Sequence, residues 1–473
     1  MATSRKAPKM RRDFASAELE SADEAPAAFA GDAADNRAEY WRAFIFKLVI
    51  IILAGLWIYS PAYHGDWLWD DDQAITANPV TQGPWSFKSF WVAPPGADYF
   101  PLTATVFWME WHAFGMNPTG YHVVNIILHI LGALAFWRLL HVMKLPGAWL
   151  GGLVFAIHPI CIESVTWVSE LKNTLSQPLF LLSAISFVKF DDAVNRPTDL
   201  SATDDGQTDA TRSYLLAIVF FLLAMFAKTA IVMYPVMILL YGWWKHGFRL
   251  DRSGMTALGW AGASLALTLV PEMTWLKALR DGWSSWPLFI GCSLIATLGP
   301  LSSLALAVHL RGAVSRTSGK LDESVGGTTL ERYVLYTLPF FWISLVLGLA
   351  TCYFQWTRAI GQEKILVGGI ESRIATAGMA VLFYLWKAIW PFNLLPIYPR
   401  WEVDPPKLWQ FLPWPIMIAT GWWLWKNRGT VEKPNWQRHV IFVLGFFILA
   451  LFPILGFITI SYMRITWVAD HFL

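Results

Sequence analysis

Three consecutive carboxylates, Asp70, Asp71 and Asp72, follow two tryptophans in the stretch GDWLWDDDQAITANPV, Gly65 to Val80. A second acidic stretch, HPICIESVTWVSELKNTLSQP, carries His158, Glu163, Glu170 and Lys172. On one continuous helix Glu163, Trp167 and Glu170 fall on a single stripe. Ionised carboxylates can take a proton from a reacting hydroxyl, and carboxylates stacked with an indole suit a hydroxyl-rich ligand. Solvated charges on an interfacial helix are the plainer alternative.

Groups able to meet an anion lie elsewhere in the chain. Lys228 sits between two apolar halves in LAMFAKTAIVMYP, where an unpaired ammonium is costly, so it either snorkels to the surface or contacts a phosphate. GGIESRIATAGMAVLFYLWKAIWPFNLLPIYPRW supplies Glu371, Arg373, Lys387, Tyr398 and Arg400, and SYMRITWVADHF adds Arg464, Asp470 and His471. The planar guanidinium suits bidentate phosphate binding, while at least one of these cations serves as an interface anchor. His122, Asn125 and His129, spaced i, i+3, i+7 in YHVVNIILHILGALAFWRLL, share a helix face and either join helices by hydrogen bonds or touch a substrate. Neighbouring side chains in an Asp run diverge, so three of them do not converge on one ion. One Asp with Glu163 or Glu170 holding Mg²⁺ or Mn²⁺ through oxygen remains an open alternative. No Gly-rich phosphate loop, Ser-centred elbow or HExxH helix is present, which removes soluble-nucleotide chemistry and the common hydrolase patterns.

These residues must be positioned by a membrane protein. Of 473 residues, 55% are hydrophobic, 16% aromatic and only 15% charged, too apolar for a soluble chain of this length. Lys plus Arg number 36 against 34 Asp plus Glu, so no global field recruits nucleic acid. The three cysteines, Cys161, Cys292 and Cys352, are far apart and form neither a disulfide framework nor a zinc spacing.

The expected organisation is an all-α, polytopic helical bundle of about 11–12 spans. Residues 1–42, rich in Ala and in charges of both signs, are expected to be a disordered cytoplasmic tail. Ala43 to Tyr59 is the first span, with Trp57 and Tyr59 at its far interface. The loop 60–119 holds Lys88 alone among lysines and arginines beside Asp66, Asp70, Asp71, Asp72, Asp98 and Glu110, which places it outside by the positive-inside rule. Further spans are expected near Tyr121 to Leu140, Ala148 to Ile162, Leu175 to Phe190, Tyr214 to Ala227, Ala230 to Trp244, Met255 to Val270, Pro287 to Val308, Tyr333 to Phe354, Thr376 to Trp390, Leu412 to Trp425 and Val440 to Ile460. The Asp/Thr-rich stretch 191–212 reads as a flexible cytoplasmic loop. Tyr214 to Trp244 reads as a tight hairpin turning at Lys228, which leaves the basic clusters Lys245 to Arg252 and Arg311 to Arg332 inside. Strict alternation then sends the basic stretch Lys426 to Arg438 outside, against the charge rule, unless a segment such as Thr376 to Trp390 is interfacial or re-entrant.

WLWDDDQAITANPV after a first span, then YFPLTATVFWMEWHAFGMNPTGYHVVNIILHILGALAFWRLL, then FAIHPICIESVTWVSELKNTLS, resemble the GT-C fold membrane glycosyltransferases. The likeness is to the transmembrane and tetratricopeptide-repeat containing protein O-mannosyltransferases and their bacterial relatives. It runs through most of residues 43–250 and resumes across LFYLWKAIWPFNLLPIYPRW and MRITWVADHF, with an extra helix pair at about 255–310. It implies a glycosyltransferase domain over 43–473, a polyprenyl-phosphate-linked sugar as donor, and inverting transfer to a protein hydroxyl or a glycan acceptor. By the resemblance, Asp70 and Asp71 are the catalytic acidic pair with Asp72 beside them, and Glu163, Glu170 and Lys172 match the second external motif. Lys172, Lys228, Arg373 and Arg400 face the donor phosphate, with Tyr398 alongside. His122, His129, His158, Asp470 and His471 are supporting residues, His471 standing where relatives often show Arg or another residue. The expected location is a bacterial inner membrane with the site facing outside. Family members commonly carry a repeat domain after the membrane part; none is present in these residues, and the apolar finish VADHFL suggests a piece of something longer. A transporter or lipid-linked sugar flippase would also bury polar groups in a bundle, but no inverted repeat of hydrophobic segments is visible.

Overall fold

In a computed structural model the chain is described at residues 27–84, 87–92, 96, 98–195, 205–248, 259, 262, 330–361, 363 and 365–472. Among these residues there is no β-strand, only helices and loops. The longer helices, in chain order, are α1 (Ala27–Ile58), α2 (Pro101–Phe114), α3 (Pro118–Val142), α4 (Ala148–Ile157), α5 (Leu171–Val194), α6 (Asp205–Ala227), α7 (Tyr234–His246), α8 (Leu330–Phe354), α9 (Ile370–Ile389), α10 (Pro413–Lys426) and α11 (Trp436–Leu451). Among the described residues five helical stretches are long and apolar enough to cross a membrane, and a sixth results if the bent pair Ala148–Ile157 and Pro159–Thr166 is one span. The chain is thus a polytopic helical membrane protein. The extra helix pair expected at about 255–310 lies outside the described residues, apart from Gly259 and Gly262.

Helix ends follow local chemistry. α3 opens with Pro118, whose missing N–H costs nothing in a first turn, and Asn117 caps it by accepting from Thr119 N–H at 3.2 Å. α1 begins at Ala27, inside the stretch 1–42 expected to be a tail, because its alanines favour helix and it runs without a break into the apolar span. The 191–212 loop is likewise shorter than expected: α5 continues through Val194 and α6 starts at Asp205. Asp191 is buried instead of flexible. It accepts from Tyr241 (3.1 Å) and Tyr333, and pairs with Lys245 (2.6 Å) and His246 (3.0 Å), tying α5, α7 and α8 at one end of the bundle.

That end also holds the basic stretch after α10. Arg438 donates to the carbonyls of Trp243 and Trp244, and Trp243 stacks on Trp425 with centroids 5.4 Å apart. α9 explains how the chain gets there. Near its start, Ile374 O accepts from Trp414 Nε1 at 2.9 Å and Arg373 donates to Gly456 O, while near its finish Ala388 O meets His158 Nε2 at 3.1 Å. All these partners stand at the opposite end of the bundle from Asp191, so both ends of α9 meet the same end of the molecule. α9, which carries Glu371, Arg373 and Lys387, is not among the described helices long and apolar enough to cross a membrane, and Lys426 to Arg438 lies on the side of Lys245. This arrangement agrees with the charge rule and not with strict alternation of every expected span.

The packing is aromatic. Phe187, Phe221, Tyr234, Tyr241, Tyr333 and Phe340 form the largest buried cluster, between α5, α6, α7 and α8. A smaller one, Ile75, Phe107, Tyr121, Val168 and Leu171, links the segments that carry the acidic residues.

Candidate active site

The acidic run sits on a tight turn whose three carboxylates have different surroundings. Trp69 takes the left-handed backbone region (φ 36°), and Asp72 starts a single wide turn, Asp72–Thr76. Asp70 and Asp72 are exposed; Asp71 is fully buried. Asp71 Oδ2 accepts from Leu68 N–H at 2.8 Å and Oδ1 from Ser169 N–H at 2.7 Å, so one side chain closes its own turn and ties it to the second acidic segment. Burial pushes the Asp71 carboxyl up, against the opposing pull of those two N–H groups. Trp167 Nε1 donates to Leu68 O at 3.3 Å and its ring meets Trp69 edge-on at 5.3 Å, which doubles the link.

The second segment is not the single stripe expected for Glu163, Trp167 and Glu170. Helix Ile162–Thr166 ends at Trp167, which is extended (φ −89°, ψ 119°), and a short tight helix Val168–Glu170 follows before α5. The two glutamates therefore point to different partners. Glu170 is buried, with Lys172 Nζ at 2.7 Å, Lys228 Nζ at 3.8 Å and Asn173 Nδ2 donating at 2.6 Å. Burial alone would raise its carboxyl, but Lys172, His471 and Lys228 bring it down to about 2. Lys228, in the extended link between α6 and α7, donates to Asn173 Oδ1. Burial outweighs the attraction of Glu170 and lowers its ammonium to about 8, Lys172 adding to the fall. Glu163 meets His471, Oε1 to Nδ1 at 2.8 Å and Oε2 accepting the His471 backbone N–H at 3.0 Å.

The final segment is delivered by α9 and the loop after it. Tyr384 Oη accepts from Ala469 N–H at 3.0 Å, and Trp467 Nε1 donates to Trp401 O at 3.0 Å. This sets Asp470 against Tyr398, whose hydroxyl donates at 2.9 Å. Burial, with Glu163 adding, pushes the Asp470 carboxyl up to about 6.

Asp71, Glu163, Glu170, Lys172, Lys228, Tyr398, Asp470 and His471 thus gather at one end of the bundle, with Asp70 close enough for its charge to act on Lys172. Arg373 and Arg400 are used differently. Arg373 donates to the carbonyls of Gly456 and Phe457, both at 2.9 Å, and Arg400 to Leu366 O at 2.5 Å with its guanidinium 4.9 Å over the Trp467 ring. Among the described residues neither is hydrogen-bonded or paired to the Glu163 and Glu170 cluster. Asn125 and His129 join helices: Asn125 Nδ2 donates to Trp167 O at 3.2 Å and His129 Nε2 meets Ala156 O at 3.1 Å. His122 is buried directly beneath Gly65, where any Cβ would fall 2.6 Å from its Nε2. Asp72 is occupied by the Thr76 hydroxyl at 2.5 Å.

Two further residues reach this cluster without being among the site residues expected from the sequence. Asn173 bridges Glu170, Lys228, Ser164 Oγ and His471 O, and its one sequence signal is its place three residues after Glu170. Asp98, held by Gln355 Nε2 at 2.5 Å, acts on both lysines. Among the described residues no three of His, Cys, Asp and Glu come together as a metal site, and the oxygens of Glu163 and Glu170 are already met by His471, Lys172 and Asn173.

Comparison with known proteins gives the same direction as the motifs. No protein-family model matches the chain, and no solved structure does. Over 147 residues it is 31% identical to the protein O-mannosyl-transferase TMTC2 of Mus musculus, covering 28% of this chain and 18% of that protein. Over 217 residues it is 30% identical to the human protein O-mannosyl-transferase TMTC1, covering 42% of this chain and 24% of that one. The Caenorhabditis elegans protein O-mannosyl-transferase F38B6.6 is 28% identical over 160 residues, 31% of this chain and 23% of the relative. The chain spans about a fifth to a quarter of the length of the curated relatives it matches. By these relatives, as by its acidic motifs, the chain resembles the TMTC family of protein O-mannosyl-transferases.

Proposed function

We propose that the protein is a membrane glycosyltransferase that moves a sugar, mannose by the names of its relatives, from a polyprenyl-phosphate donor to a protein hydroxyl on the outer face of a bacterial inner membrane. The observation that carries this reading is an exposed carboxylate, Asp70, whose charge acts on the half-buried Lys172, which shares the buried Glu170 with the buried Lys228. In one displacement the acceptor oxygen bonds to C1 of the sugar, the bond from C1 to the phosphate oxygen breaks, and the acceptor proton passes to a carboxylate. The phosphate leaves with one more negative charge than it had as a diester.

Asp70 is the proton acceptor in this scheme. A base needs a free lone pair and access to the acceptor, and Asp71 has neither access nor idle oxygens. Asp71 instead fixes the turn against Ser169. Lys172 and Lys228 meet the leaving phosphate, where preorganised charge in a water-poor site is most effective. Arg373 and Arg400 hold backbone carbonyls of the loops beside this cluster.

The test is incubation of the purified full-length protein with polyprenyl-phosphate mannose and a periplasmic protein extract, followed by mass spectrometry of modified hydroxyl residues. Covalent mannose on Ser or Thr supports the reading. Movement of the lipid-linked sugar across vesicles with no covalent product would replace it with the carrier alternative.

A further inference from the structure

Glu163 and His471, 308 positions apart, form a fork in which both carboxylate oxygens meet one residue: Oε1 the ring Nδ1 at 2.8 Å, Oε2 the backbone N–H at 3.0 Å. A residue held at ring and backbone together cannot turn its imidazole, and aromatic rings close round it. Phe472, Tyr462 and Trp167 have centroids 4.3, 5.1 and 6.2 Å from the imidazole, which is 8% exposed. With Nδ1 committed to Glu163, Nε2 is left for another partner. Among the described residues it has none.

The ring belongs to the charged cluster. His471 O accepts from Asn173 Nδ2 at 3.1 Å, and Asn173 Oδ1 takes Lys228, whose ammonium lies 5.8 Å from the centroid of the Phe472 ring. The charged and titratable groups around the imidazole are Glu163 from the Ile162–Thr166 helix, Glu170 from Val168–Glu170, Lys228 from the α6–α7 link, Tyr462 from Ser461–Arg464, and Asp470 beside it in the chain.

We infer that Glu163 holds His471 so that Nε2–H donates a hydrogen bond to the departing phosphate oxygen, as a third cationic donor beside Lys172 and Lys228. The inference rests on the glycosyl-transfer reading. As the bond from C1 to the phosphate oxygen breaks, its electron pair stays on that oxygen, the acceptor oxygen takes its place at C1, and the acceptor proton goes to Asp70. Imidazolium with both nitrogens protonated stabilises the new charge by hydrogen bonding and keeps its proton. Neutral imidazole with its proton on Nδ1 offers Nε2 only as an acceptor. His471 is a catalytic residue by this assignment, and Glu163 positions it.

The test compares wild type, His471→Asn and His471→Gln as full-length proteins in lipid nanodiscs, with polyprenyl-phosphate mannose and an acceptor peptide. An Asn amide occupies the place of Nδ1 and keeps Glu163 engaged, while a Gln amide reaches the place of Nε2. His471→Asn is expected to lower kcat about tenfold or more, the loss of one charge-assisted hydrogen bond, with a smaller change in KM. His471→Gln is expected to keep part of the rate, because its amide still donates a hydrogen bond at the place of Nε2. If one variant fails to fold, the other decides. Wild-type kcat in either folded variant overturns the role of His471 and leaves the transferase reading intact, whereas no transfer by wild type overturns both.

Discussion

Asp71 Oδ1 accepts the backbone N–H of Ser169 at 2.7 Å across 98 positions of chain, and this one bond locks the first acidic motif onto the second. The same carboxylate closes its own turn through Leu68 N–H. The adjacent Asp70 is left with its side chain in the open.

Asp70 and Asp71 should therefore fail in different ways. Asp70→Asn is expected to reduce sugar transfer by about 100-fold or more, the usual loss for a general base, with an unchanged melting temperature. Asp71→Asn should cost about 1–3 kcal/mol of stability, as a buried hydrogen-bonded group is weakened, and lower activity only through the loosened turn. Thermal unfolding and initial rates on the same preparations separate the two. Full activity in both variants would remove this turn from the chemistry.

Lys228 gives the donor site a pH limit. Its ammonium is lowered to about 8 by burial, so its positive charge is lost as pH rises through 8, well before that of a free lysine. Affinity for polyprenyl phosphate should fall between about pH 7.5 and 9, and Lys228→Met should bind more weakly throughout and lose that decline. For folding the sign is opposite: the charged lysine costs stability below pH 8, and the cost disappears as pH rises from 8 towards the unfolded value. Binding titrations against pH with both proteins check this.

Glu110, on α2, is buried with neither carboxylate oxygen hydrogen-bonded, and burial pushes it up to about 8. Its folded form keeps the proton that an unfolded chain releases near its ordinary value of 4.5. Stability from this group is complete below that value and is lost as pH rises through 8. Glu110→Gln, which is neutral at every pH, should flatten the fall in unfolding temperature between pH 5 and 8. An equal fall in wild type and variant would show that another group causes it.

Much of the architecture was legible because helix chemistry is local. The turn at Lys228 between two apolar halves is where α6 gives way to α7, and the apolar runs near Tyr121, Ala148, Leu175 and Val440 became α3, α4, α5 and α11. The stripe of Glu163, Trp167 and Glu170 failed because the extended backbone at Trp167 interrupts the helical period. The tail and the 191–212 loop were too long because composition says little about where a helix stops, and Asp191 was placed in solvent because its partners come from α7 and α8.

By itself the sequence determined an all-helical membrane protein and the residue types its site can use, since apolar periodicity and an ion's cost in lipid are properties of short segments. Tertiary structure decided which of those residues meet. Asp71 finds Ser169, Glu163 finds His471 and Lys228 finds Asn173 only after segments 55 to 308 positions apart have packed, and Arg373 and Arg400 are drawn to carbonyls by the same packing. Spacing along the chain carries no information about such pairs. A buried charge is retained only where the fold supplies its partner, and that partner is chosen by which helices lie side by side.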